Sequence, residues 1–308
     1  MMYKTSILDE IKYFFKNKSV LSQLITINVI VFLVVNIIKL FYWLFQIKSN
    51  FFVLQLFAVP SSLHSLLFKP WTLFTYMFLH ENFFHLFFNM IILYFAGKIF
   101  SEYLSNRKLI NTYILGGIAG ALFYIISYNI FPAFKDVVAY SVALGASASI
   151  LAILVAIATY VPNYSVNLMF VGPIKLKYIA IIIVVLDILS ISKGNPGGHL
   201  AHLGGALWGF FYIYKLKKGK DISVIIDYLK KIFYSFINYF KYKPKTKFKT
   251  KNKYSKGKER PLSDKEYNKR KAEKQKNIDA ILDKISKSGY SSLSKKEKEL
   301  LFKMSDKK

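Results

Sequence analysis

Two polar side chains sit where the surrounding sequence is apolar. Ser147 lies in Gly145-Ala146-Ser147-Ala148, at the start of one apolar segment, and His202 lies in Ala201-His202-Leu203-Gly204-Gly205, inside another. A serine hydroxyl is a weak nucleophile until a neighbouring base accepts its proton, and an imidazole is suited to that task. Far apart in sequence, the two can meet only if their segments pack closely. Gly145, Ala146 and Ala148 on one side and Gly198, Ala201, Gly205 and Gly209 on the other are small enough to allow it. Gly205-x-x-x-Gly209 is a small-xxx-small pair of the kind that brings helices together in lipid. Gly145 permits a close turn into a helix, and a helix N-terminus leaves N–H groups without acceptors, as a developing oxyanion requires.

A second polar cluster is His80-Glu81-Asn82-Phe83-Phe84-His85-Leu86-Phe87-Phe88-Asn89. His85 and Asn89 are four apart, on one helix face, and both can donate hydrogen bonds. Polar groups among so many phenylalanines are expensive in lipid and point to function; together they could complete an oxyanion hole. His80 is expected to hold the long loop that precedes this segment. Two histidines of a zinc-protease signature stand four apart. His80 and His85 are five apart, about 140° around a helix at 100° per residue, so no metal site is expected there.

Two further residues compete for roles. His199 rivals His202 as base, but only His202 carries the Ala-His-x-Gly-Gly surroundings that let a partner helix approach, and His199 is expected near the water boundary. Asp187 invites a Ser-His-Asp reading. It is expected instead to face water or another polar group near the outer end of its segment.

These residues need a frame, and composition says which. The 308 residues are 54% hydrophobic and 17% aromatic, with apolar runs too long and too numerous for a soluble core. A spanning helix needs about 20 mostly apolar residues. Six candidates fall near 21–46, 83–101, 108–131, 146–162, 173–191 and 199–216. The run from Leu21 is too long for a signal-peptide core and is expected to remain as a first helix. The fourth segment is short, so Ser147 is expected below the outer surface, where irregular backbone is tolerated only if it is buried or lines a wet cavity. Without cysteine, disulfides and thiolate chemistry are excluded.

Lysines 4, 12, 16 and 18, Lys98, Arg107 and Lys108, Lys175 and Lys177, and the basic tail all fall on one side of a six-span arrangement. The positive-inside rule makes that side cytoplasmic and puts both termini there. A bacterial cytoplasmic membrane fits this composition. The tail carries 30 of the 44 Lys+Arg and 11 of the 17 Asp+Glu, enough to contact anionic lipid at roughly 1 kcal/mol per basic residue. Nucleic acid is not expected as a partner, because no recognised binding fold is present. The expected organisation is a cytoplasmic N-terminal segment (1–20), a membrane domain (21–216), a surface helix over 222–233 with a basic linker (217–275), and a small helical hairpin (276–308). In that hairpin Ile278, Ile281, Leu282 and Ile285 share a face, Gly289 ends the first helix, and Ser294 with Glu297 forms a capping box.

With Trp71 in the first loop, His85-x-x-x-Asn89, Gly145-Ala146-Ser147 and Ala201-His202-Leu203-Gly204-Gly205 in that order, the chain resembles the rhomboid family of intramembrane serine proteases over about residues 20–215. The resemblance implies an all-α membrane protein, a six-transmembrane-helix bundle, here with a basic cytoplasmic C-terminal tail. It implies a Ser147–His202 dyad and an oxyanion hole from His85, Asn89 and the Ser147 amide, with no cofactor and no metal. The substrates implied are membrane-anchored proteins cut in or near a transmembrane helix. Ala148, Leu151 and Thr72 stand where the family often has a glycine, an aromatic and an arginine, which bears on rate and substrate preference. The alternative is a non-catalytic rhomboid-like chaperone or adaptor that binds client helices. A transporter is disfavoured, since Asp187 is the one acidic residue well inside an apolar run.

Overall fold

The computed structural model describes residues 16, 17, 19–47, 52–168, 172–228, 231 and 264–305, which belong to two compact units, within residues 1–242 and 243–308. The long helices among the described residues of the first unit are α1 (Val20–Leu44), α2 (Phe83–Tyr103), α3 (Asn106–Ile130), α4 (Ser147–Tyr160), α5 (Leu176–Ser190) and α6 (Pro196–Lys217). Local chemistry sets where they start. Ser19, Asn82 and Ser105 each accept a hydrogen bond from an amide in the first turn of α1, α2 and α3, the usual way to satisfy an orphan N–H. Pro196 opens α6 just after the cap residue Asn195.

α1, α2 and α3 are each long and apolar enough to cross a membrane. Their outward faces are continuous apolar surface, including Ile30, Leu33, Ile37 and Phe41 on α1 and Phe83, Phe84, Phe87 and Phe88 on α2. An apolar exterior on this scale fits lipid and not water. The chain is thus a mostly helical membrane protein.

The fifth apolar segment departs from the expected helix at its start. Residues 173–175 belong to a strand: β3 (Ser165–Leu168) and β4 (Gly172–Lys175) pair antiparallel, Ser165 opposite Lys175. Gly172 has φ +82°, a conformation suited to a turn, and α5 begins only after Lys175.

α4 is the centre of this unit. At about 1.5 Å per residue its 14 residues reach about 21 Å, less than the roughly 30 Å of a hydrocarbon core. Every residue from Ala148 to Ala158 is buried, so the helix is covered on all sides. What lets neighbours approach is a seam of small residues one turn apart. A Cβ on Gly205 would lie 2.1 Å from the Ala148 carbonyl oxygen, and one on Gly209 would lie 2.2 Å from that of Ala152. From α3, Gly116 and Gly120 abut the Cβ atoms of the same two alanines, at 2.2 and 2.6 Å for an added Cβ. Contacts this close maximise dispersion where no hydrophobic effect separates helix from lipid.

The loop between α1 and α2 folds back onto the turn before α4. β1 (Val59–Pro60) pairs antiparallel with β2 (Val142–Ala143). The Tyr76 carbonyl accepts from the Gly145 N–H at 3.0 Å, and the Tyr76 hydroxyl donates to the Gly117 carbonyl at 2.6 Å. The Trp71 indole N–H donates to Leu56.

The second unit contains α7 (Asp264–Ser288) and α8 (Lys295–Ser305). α7 begins well before residue 276, because the charged stretch preceding its apolar face is itself helical. Gly289 adopts φ +73° at its end. The Ser294 amide and hydroxyl both donate to Glu297, and the Glu297 amide donates back to Ser294. Most of the surface helix over 222–233 beyond Tyr228, the basic linker over 241–260, and the lysines at 4, 12 and 18 lie outside the described residues.

Replacing Gly209 by valine forces α6 away from the Ala152 carbonyl. Overpacking of this kind costs about 1–3 kcal/mol, so Gly209→Val lowers the thermal midpoint in detergent by several degrees, whereas Leu207→Ala on the exposed face of the same helix leaves it nearly unchanged. Equal midpoints for the two variants would contradict the seam.

Candidate functional site

Ser147 is the first residue of α4, and the cap position before it, Ala146, has no side chain to satisfy the helix's leading amides. Gly145 enters this turn at φ +131°, a conformation L residues rarely adopt. α6 approaches so closely at Gly205 that His202, less than a turn away, faces the start of α4. The Ser147 hydroxyl lies 2.6 Å from His202 Nε2. Both side chains are half-buried.

His202 Nδ1 lies 2.8 Å from Asp187 Oδ1, on α5. His199 Nδ1 reaches the same oxygen, also at 2.8 Å. A carboxylate can only accept, so each Nδ1 carries a proton and donates it. His202 Nε2 therefore holds a lone pair, and Ser147 is the donor in the short contact between them. Asp187 is buried, and its Oδ2 has no partner among the described residues.

Of the two environments expected for Asp187, water and another polar group, the structure shows the second, and the group is the pair of imidazoles of His199 and His202. Residues three apart on a helix differ by about 60° in direction, near enough for one carboxylate on a facing helix to meet both rings. The signal available in sequence was the isolation of that carboxylate in an apolar run, since a buried charge needs a partner. One ligand atom from each of Asp187, His199 and His202 lies within 4.8 Å of the other two, so this trio could also hold a cation.

On the other side of Ser147, His85 Nδ1 accepts a long, 3.5 Å hydrogen bond from the Glu81 amide, which leaves Nε2 as the N–H. The point where a side chain of residue 145 would begin lies 3.0 Å from His85 Nε2 and 3.4 Å from the Ser147 hydroxyl. Glycine keeps that volume open. Asn89, one turn along α2, is buried with its Nδ2 unpartnered among the described residues. His85 and Asn89 thus sit one turn apart on α2, Asn89 with a donor unpartnered among the described residues and His85 close to Gly145 and the Ser147 hydroxyl.

His80 is buried, and its ring contacts that of His85 edge to face, so packing contributes to its hold on the loop. Leu151 is buried within α4, Thr72 is buried and donates to the Lys69 carbonyl, and Trp71 is exposed.

Residues 67–219 match the Rhomboid domain, and residues 263–307 match a family of unknown function, DUF6576. A relative from Arabidopsis thaliana, "RHOMBOID-like protein 12, mitochondrial", is 30% identical over 158 residues, which cover 48% of this chain and 47% of the relative. The chain thus spans about half the length of the curated relative it matches.

Burial, reinforced by the neighbouring His85 ring, pushes the pKa of His80 down to about 4. The folded protein keeps this ring neutral while the unfolded chain binds a proton near pH 6.5, so the stability tied to it is full above that pH and is lost as the pH falls toward 4. His80→Phe should flatten the fall in thermal midpoint between pH 7 and 4.5 relative to the parent; parallel declines would contradict a buried neutral imidazole.

Proposed function

Because the chain belongs to the rhomboid family, we propose that it is an intramembrane serine endopeptidase that cuts membrane-anchored proteins in or near a transmembrane helix. The observation that carries this reading is the 2.6 Å contact from Ser147 to an imidazole nitrogen that must act as acceptor. In the proposed reaction a substrate segment unwinds toward the start of α4, and Ser147 Oγ attacks the scissile carbonyl carbon. His202 Nε2 takes the hydroxyl proton and later returns it to the leaving amine. The carbonyl oxygen, now negative, enters the volume over Gly145, met by the Ser147 amide, His85 Nε2–H and the Asn89 amide. Water then attacks the acyl-enzyme, with His202 again accepting the proton.

The same reading assigns six crossings to α1–α6 and puts both termini on the lysine-rich, cytoplasmic side, in a membrane such as that of a bacterial cell. Ser147 lies below the headgroups, since α4 is too short to span alone. The membrane domain covers about residues 21–216, and the basic tail contacts anionic lipid.

Purified protein in detergent should cleave a model transmembrane substrate. Ser147→Ala and His202→Ala should each abolish cleavage, and Asn89→Ala should lower kcat by about 10²-fold. Activity that survives Ser147→Ala would reject the assignment. For orientation, the chain's lack of cysteine allows Lys18→Cys and Lys220→Cys to be labelled separately in sealed vesicles. Labelling from opposite sides would reject an even number of crossings.

A further inference from the structure

We propose that Asp187 is the positioning residue for His202: its Oδ1 holds the ring as the Nδ1–H tautomer with Nε2 turned to Ser147, while His199 donates to the same oxygen and fixes the carboxylate. This rests on the proteolytic reading and turns its Ser–His pair into a three-member relay of hydrogen bonds drawn from α4, α6 and α5.

The packing of α5 supports it. Its buried residues are Leu176, Ala180 and Asp187, four and seven apart and so on one face, whereas Ile181, Leu186 and Ile188 are exposed. The carboxylate occupies the inward seam where a small or aliphatic side chain would ordinarily pack. A buried carboxylate is retained only with partners, and this one draws two N–H donors to a single oxygen at equal distance. The hydrogen bond at one ring nitrogen dictates what the other can do. If Nδ1 accepted, Nε2 would carry the proton and Ser147 would have no base. Asp187 touches neither substrate nor the reacting atoms, and its effect is on tautomer and ring orientation.

Histidine ¹⁵N NMR on the full chain in detergent reads this directly. The expected result is a protonated Nδ1 and an unprotonated Nε2 on His202 in the parent protein, with the Nδ1–H population falling in Asp187→Ala. Cleavage kinetics should show kcat lower by about 10³-fold or more in Asp187→Ala with KM within a few-fold, partial recovery in Asp187→Glu, and a loss under tenfold in His199→Ala. An Nε2–H tautomer in the parent protein would overturn the proposal whether or not any variant folds. Unchanged kcat in Asp187→Ala would overturn it as well. So would Nδ1 protons that appear only after EDTA, the signature of a cation seated on these residues. If the parent protein neither cleaves nor reacts with serine probes, the proteolytic reading falls, while the tautomer measurement still decides the pairing.

Discussion

Close backbone approach at a seam of small residues is the constraint on which the rest of this molecule depends. Ala148 and Ala152 on α4 meet Gly205 and Gly209 on one side and Gly116 and Gly120 on the other, each pair one helical turn apart. A methyl group added at any of these glycines would overlap a neighbour. Ser147 and His202 are adjacent in space because they are adjacent in sequence to this seam. The proposed nucleophile and base need placement to within a fraction of an ångström, and rigid packing of backbone on backbone supplies it better than long side chains could.

The polar groups then stabilise one another. Taken singly, Ser147, His202, His199 and Asp187 would each be costly in an apolar setting. As a cluster they satisfy most of their hydrogen-bonding capacity internally. What stays unsatisfied is of both kinds: among the described residues Asn89 Nδ2 is an unpartnered donor and Asp187 Oδ2 an unpartnered acceptor, while His85 Nε2 lies against the point where a side chain at Gly145 would begin. The two donors lie on α2 and the spare acceptor on α5, so in the proposed reaction the donors are left for the developing negative charge. The first loop contributes by anchoring the Gly145 turn through the Tyr76 carbonyl.

Much of this was legible in the sequence, for physical reasons. Helices over long apolar runs declare themselves by length, and the caps at Ser19, Asn82 and Ser105 are short-range events. The pairing of Ser147 with His202 could be inferred because their small neighbours encode helix contact. The β3–β4 hairpin was hidden because Pro173 and Ile174 read as part of an apolar run. Which polar group Asp187 would meet was hidden because its partners lie on another helix, and the angle between α5 and α6 is not written in either segment. Nothing in local spacing foretold that two imidazoles would share one oxygen.

In the proposed mechanism His202 activates Ser147 as a nucleophile. Mass spectrometry of the intact protein after incubation with a fluorophosphonate reads this activation. A single covalent phosphonyl adduct is expected, mapped by peptide analysis to Ser147 and absent when His202 is replaced by alanine. An unmodified Ser147, in protein that remains folded, would contradict it.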